Sequence, residues 1–526
     1  MHAPLSDITE LPFAQQAWCM VEENNFTQFC QGWYADIPSY HLPQWIAALS
    51  MDIFGKNALA FRLPFLVMAF VGAFAMWQWT KLFFRDKSRA SMATLMWLCS
   101  FHVTFQIFNG HPFFIGSVLM ICTLWFLTKW QYSRSGADAL IAGLFAALSF
   151  ASAGIFVIMI LLGYIILTDL AIHYRKPVVR RGFLLFLLSL WLCALPVLYA
   201  LTSQYGFSES VLRLFQQLYL TDLARHPASV LSFSYMHGVN YMIIGFLPWT
   251  ALFVLASLIH LRRLLVIKTF TKMHSIWLIA ALIGIYCTII QPGIIQYMSF
   301  IMPFAILFSV DDLVRIMANE NVKFARTAVL YHFVLALTAV FLLAIVTMIA
   351  LYSFPMRELR FIPIFALLIV LFVTLYFFTD SELQRNLLLP IGVSLFFILF
   401  FKIHLLPRIL QQELMPQMAQ KIQQRNIPPN QLFRLNDDYT RSLIWYMPNR
   451  TRMITENQIQ QRTQPFWLII DQRTPEEFLS PNLMIKEAIP VSYYHTQENF
   501  HGFFDPIERA NAVKTAYLVR YEPKPK

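Results

Sequence analysis

The stretch Gly32–Pro64, GWYADIPSYHLPQWIAALSMDIFGKNALAFRLP, runs from a polar, aromatic, proline-punctuated segment into the first strongly apolar run of the chain. Its first half carries Asp36, Tyr40 and His41. A short amphipathic run follows, closed by Phe54-Gly55, and the stretch ends in Ala60-Phe61-Arg62-Leu63-Pro64. Nearly everything after it is apolar. A segment with this chemistry, set directly against a membrane-length helix, reads as one wall of a site at a membrane face.

Composition supports that setting. The 526 residues are 58% hydrophobic and 16% aromatic but only 13% charged, with mean hydropathy +0.55. Soluble domains carry about a quarter charged residues, so the class is an integral membrane protein. The net charge of +11 is no nucleic-acid signal, because the basic residues collect in loops between apolar runs, as membrane insertion demands. Of the six cysteines, Cys99, Cys122, Cys193 and Cys287 sit in apolar runs as small hydrophobes. Cys19 and Cys30 lie in the polar N-terminal segment and could pair there outside the cytoplasm.

Spanning a bilayer takes roughly 17–25 apolar residues. Runs of that kind occur at 57–79, 91–108, 112–130, 137–152, 154–174, 182–202, 239–260, 275–291, 292–310, 326–352, 361–379 and 386–402, giving about twelve expected spans. Lys and Arg crowd alternate loops: Lys81 to Arg89, Lys129 and Arg134, Arg175 to Arg181, Arg262 to Lys272, and Arg315 to Arg326. The alternate turns at Asn109-Gly110, Ala153-Gly154 and Gln291-Pro292-Gly293 carry none. The positive-inside rule then puts residues 1–56, the loop 203–238 and the tail 403–526 outside the cytoplasm. A chain that starts outside without a signal peptide leads us to expect a further helix upstream. The tail alternates short strand-like and helical pieces, which predicts a small α/β domain.

Almost no charge is read inside the spans, which argues against an ion-coupled lipid or glycan transporter. Polar groups collect instead at the expected outer face: Asp7, Glu10, Asp36, His41, Arg62, His102, Asn109, His111, Tyr297, Arg357 and Arg360 among them.

Several pieces in order resemble one family. Asp7, Pro38 to Trp45, Phe54-Gly55 and Ala60 to Pro64 resemble the first-loop pattern of the polyprenyl-phosphate-sugar-dependent glycosyltransferases of the GT-C fold, in particular the bacterial protein-mannosyltransferase and lipid A aminoarabinose-transferase branch. Phe246-Leu247-Pro248-Trp249, Tyr297 with Met302-Pro303, and Ser442 to Met447 with Arg450 resemble later family segments. The resemblance implies a mainly α membrane bundle with a small extracytoplasmic α/β domain, in the bacterial inner membrane. It implies transfer of a sugar from a polyprenyl phosphate to a lipid A, glycan or protein acceptor on the outer face. No nucleotide is involved, and a divalent metal could assist.

Asp7 and Asp36 are then the catalytic candidates, the first as general base. Tyr40, His41, Arg62, His111, Tyr297, Arg357 and Arg360 are the candidates for holding substrate, and His102 with His111 for holding the metal. Each has a plainer reading. Asp7 could cap a helix and Asp36 a turn; Arg62 could snorkel; Tyr297 could anchor at the interface. The chain also departs from the family pattern. Asp7 is followed by Ile8 rather than an acid. Asn109-Gly110-His111 stands where an acid usually closes the second outer loop. Ser152-Ala153-Gly154 replaces a Lys-Gly-Pro turn. These changes leave open a relative that binds polyprenyl lipid or scaffolds a complex without catalysis.

Overall fold

Two amphipathic helices, α1 (Leu11–Glu22) and α2 (His41–Phe54), lead into the first long apolar helix, α3 (Ala58–Phe84). A computed structural model describes residues 10–26, 41–172, 181–208, 210, 245–267, 270–289, 298–317, 337–338, 340–355, 362–378, 382–435, 443–446, 452–471, 473–479, 482–494 and 505–524. Asn57 caps α3 by accepting from the Ala60 amide at 2.8 Å. Ser50 Oγ donates to the Ala60 carbonyl at 2.6 Å, fixing α2 against the start of α3. At 27 residues, α3 is about 40 Å long and crosses a bilayer with some tilt.

The next helices are α4 (Lys87–Leu98), α5 (Phe101–Phe108), α6 (Pro112–Ser133), α7 (Gly136–Ala153), α8 (Ile155–Ile172) and α9 (Arg181–Tyr205). They are followed by α10 (Thr250–Ile267), α11 (Lys272–Ile289), α12 (Met298–Met317), α13 (Ile362–Phe378) and α14 (Glu382–Phe400). Among the described residues, five helices are long and apolar enough to cross a membrane. The chain is a multi-pass membrane protein.

Helix α6 is apolar all round and lies at the centre, packed by α3, α7, α8 and α12; a helix without a polar face has to be buried on every side. Helix α7 brings small residues to its contacts, so backbones approach closely. Ser149 Oγ reaches the Gly116 carbonyl of α6 at 2.7 Å. A Cβ on Gly143 would lie 2.5 Å from the Phe186 carbonyl of α9.

The apolar run 91–108, expected as one span, is broken into α4 and α5. A broken helix inside a bilayer must have its freed backbone groups satisfied. The Phe101 amide donates to the Leu247 carbonyl at 3.0 Å, and Ser394 Oγ donates to the Cys99 carbonyl. The Phe246-to-Trp249 segment is therefore a turn packed on this break, with Phe246 and Trp249 buried. Asp311 and Asp312 lie buried within α12. Arg89 and Arg315 pair with the first, and Arg263 and His260 with the second.

Beyond α14 the chain continues through a π-helical segment, Phe401–Leu405, to α15 (Leu414–Gln424) and a five-stranded sheet. The strands are β1 (Leu432–Arg434), β2 (Arg452–Met453), β3 (Phe466–Asp471), β4 (Leu483–Tyr493) and β5 (Lys514–Pro523), in the order β2-β1-β3-β5-β4. β1 is parallel to β2 and β3, and β5 is antiparallel to β3 and β4. Side chains of β3 alternate between two cores: Trp467 and Ile469 pack with α15, while Phe466, Leu468 and Ile470 pack with Ile459 and Phe478. Both faces are covered, which is why FWLIID reads as a continuous apolar run.

Candidate functional site

The second turn of α3 carries Arg62, whose guanidinium grips Glu10 with two bonds, Nε to Oε1 at 2.7 Å and Nη2 to Oε2 at 2.6 Å. Glu10 is 1% exposed. A carboxylate so deeply buried keeps its charge only when paired and hydrogen-bonded, and the planar fork of Arg does both. The pair ties the segment before α1 to the start of α3.

A second cation comes from the far end of the chain. Lys402, in the π-helical segment after α14, donates from Nζ to Asn109 Oδ1 at 3.1 Å. It lies over the rings of Phe105 and Phe401 and within electrostatic reach of both Glu10 and Arg62. π-Helical turns are rare and cluster at functional sites, because the extra residue re-aims the side chains around it. Asn109 stands where the family resemblance expects an acid, and its amide oxygen is what receives the ammonium.

His111 caps α6 through Nδ1, which accepts from the Phe113 amide, and its ring lies against Phe13 and Phe113. Burial lowers its pKa from 6.5 to about 3, so the imidazole is neutral and its proton sits on Nε2. His102 is 3% exposed. Ser299 Oγ donates to Gln106 Oε1 at 2.7 Å and so accepts from His102 Nε2 at 2.9 Å. One ring nitrogen of each histidine is thus already committed. Among the described residues no group of three His, Cys, Asp or Glu side chains gathers to hold a metal ion.

Of the candidates read from sequence, the structure brings Arg62 and His111 to this region and places His102 just beneath, on α5. His41 is the first residue of α2, its side chain outside those described. Asp7, Asp36, Tyr40, Tyr297, Arg357 and Arg360 lie outside the described residues, as does Cys30, although Cys19 is disulfide-bonded. The pairing role of Glu10 and the presence of Lys402 were missed. Lys402 had a signal: it is a lone cation in the run FFILFFKIHLLP, and an ionisable residue in an apolar span is functional by default.

Along α14 from Lys402 lies an apolar cavity of about 430 Å³, walled by Leu343, Ile369, Phe372, Phe377, Gly392 and Phe396 among others. Phe396 precedes Lys402 by six residues, roughly 9 Å of helix. The interval is bridged by Phe101, whose ring touches those of Phe397 and Phe401.

Over the site the tail domain rests on the first loop. Lys56, in the link between α2 and α3, lies between the rings of Trp18 and Trp445, at 5.7 and 5.4 Å. Desolvation lowers its pKa and the charge of Glu22 opposes this.

Residues 41–199 match the family described as Dolichyl-phosphate-mannose-protein mannosyltransferase. No curated protein matches the chain by sequence. The structure is similar to that of ArnT from Cupriavidus metallidurans bound to undecaprenyl phosphate, with a TM-score of 0.68 and 13% identity over 98% of this chain and 94% of that one. The apo state of the same protein gives 0.63 at 13% identity and the same coverage. The chain is a membrane protein with the GT-C glycosyltransferase fold.

Proposed function

We propose that the protein moves a sugar from a polyprenyl-phosphate donor to a lipid A, glycan or protein acceptor at the face of a bacterial inner membrane where Arg62 lies, the tail domain standing on the periplasmic side. The observation that carries this is the junction of a polar and an apolar compartment. Lys402 stands near Arg62 at one end, and the cavity along α14 continues at the other. A lipid phosphate matches both halves: the chain enters the apolar cavity, and its phosphate meets the ammonium and guanidinium. The similar fold of a protein bound to undecaprenyl phosphate supports the reading.

In the reaction an acceptor hydroxyl or amine attacks the anomeric carbon. The bond from that carbon to the phosphate oxygen breaks, and polyprenyl phosphate leaves with the electron pair. A carboxylate takes the acceptor proton, the role assigned to Asp7 with Asp36 as its companion. Lys402 stabilises the charge that grows on the leaving phosphate.

One observation favours a second reading, a lipid-binding relative without catalysis. Glu10 is the carboxylate that the described residues place in the site, and both its oxygens are held by Arg62. It is in no position to act as a base.

The test uses purified full-length protein, undecaprenyl phosphate and radiolabelled polyprenyl-phosphate sugars with candidate acceptors. Lys402→Met is expected to weaken undecaprenyl phosphate binding at least about tenfold, the scale of one charge-assisted contact. Unchanged binding would overturn the site. Asp7→Asn is expected to abolish transfer while binding persists. Binding without transfer in the wild type would select the second reading.

A further inference from the structure

Arg62 opens α3 and Arg85 closes it. The helix therefore carries the candidate site at one end and, about 35 Å away, a second polar cluster at the opposite membrane face. There Arg85 takes a left-handed conformation, φ 57°, and lays its guanidinium over the ring of Tyr132 at 5.3 Å. From α11, Lys272 reaches the same ring, Nζ lying 4.6 Å from its centre and donating to the Tyr132 hydroxyl at 3.0 Å. Two cations from distant parts of the chain thus share one aromatic ring that is 37% exposed.

The two charges lie within about 10 Å of one another, roughly a Debye length at physiological salt, so each feels the other's repulsion. Among the described residues neither forms an ion pair with a carboxylate. The nearest acid in sequence, Asp86, is occupied: it accepts from the Ser88 amide at 2.8 Å and faces Arg89 at 3.7 Å. Asp138 pairs with Lys129, and Asp311 and Asp312 with Arg89, Arg315 and Arg263. The described acids at this face, Asp86, Asp138, Asp311 and Asp312, are matched to other cations. Arg85 and Lys272 are instead held together on a tyrosine at the depth where amphipathic rings settle among headgroups. The group that relieves this arrangement is an anion presented from the membrane surface.

We propose that Arg85, Lys272 and Tyr132 form a binding site for the phosphate of an anionic phospholipid, at the membrane face opposite the candidate glycosyl-transfer site. The phosphodiester bridges the guanidinium and the ammonium, the tyrosine ring sits against the headgroup, and the acyl chains follow the apolar surfaces of α3 and α11 into the bilayer. The site joins α3, α6 and α11, so an occupied site stabilises that end of the bundle.

The test places the full-length protein in nanodiscs of phosphatidylcholine with a minor fraction of phosphatidylglycerol and measures the lipids retained on release, together with the thermal midpoint. The wild type is expected to retain phosphatidylglycerol with about thirtyfold preference, the scale of two interfacial cations, and to melt higher than in phosphatidylcholine alone. Arg85→Gln with Lys272→Gln is expected to lose both effects. The charge-keeping pair Arg85→Lys with Lys272→Arg keeps the preference, which separates lipid binding from damage to folding. Lys87→Gln, an exposed cation at the same face, keeps it too. Wild-type retention by the double Gln variant would overturn the proposal. Equal stabilisation by inorganic phosphate in phosphatidylcholine discs would overturn the lipid assignment in favour of a free anion.

Discussion

Arg62 and Glu10 show what a single pair does here. Removing one partner leaves the other charged and buried, at a cost of about 3–5 kcal/mol, whereas removing both costs far less. Arg62→Met is therefore expected to lower the thermal midpoint strongly. Arg62→Met with Glu10→Gln is expected to recover much of the loss, a coupling that a double-mutant cycle reads directly. His111 makes a prediction in pH. Its pKa is lowered from 6.5 to about 3, so below 6.5 the unfolded chain takes up a proton that the folded one refuses. The folded state then loses stability as pH falls from 6.5 towards 3, and keeps the full contribution above 6.5. His111→Gln is expected to flatten the acid limb of a stability-against-pH curve over that interval. Arg62 and His111 were legible in the sequence because polar side chains at the ends of apolar runs are conspicuous. Glu10 was seen as polar but not as a partner of Arg62, since 52 positions separate the two.

At the scale of elements, the turn from α5 to α6 decides the shape of the site. Gly110 has φ 57°, and a Cβ there would lie 2.4 Å from Phe61 Cε1, the residue before Arg62. Gly110→Ala must both strain the backbone and push Phe61, a combined cost of about 2–4 kcal/mol. We expect a lower thermal midpoint and weaker undecaprenyl phosphate binding from this one change, measured on the same preparation. The starts of α3, α6 and α7 were readable within a residue or so, because Asn57, Pro112 and Gly136 punctuate long apolar runs. The break between α4 and α5 was not. The run is apolar throughout, and the partners that satisfy its freed backbone, Leu247 and Ser394, come from residues far along the chain.

At the scale of the molecule, two clusters of contacts among the described residues hold the tail domain down. Lys56 sits between Trp18 and Trp445. On the other side, Asp505 accepts from the Tyr352 hydroxyl at 3.0 Å, and Arg509 donates to the Ser353 carbonyl and stacks on Phe354. Trp445→Ala is expected to raise amide exchange in residues 443–446 and in α1 while leaving β3 and β5 protected. Equal exchange in wild type and variant would show that the clamp contributes nothing. By itself the sequence determined the membrane class, the approximate places of the apolar helices and the α/β character of the tail, because hydrophobic length and alternation are local properties of the chain. Only the tertiary structure decided which charges meet. Arg62 acquires its meaning from Glu10, and Lys402 from Asn109 some 293 residues earlier. In a bundle of apolar helices such pairings are set by which faces pack together, and no local pattern records that.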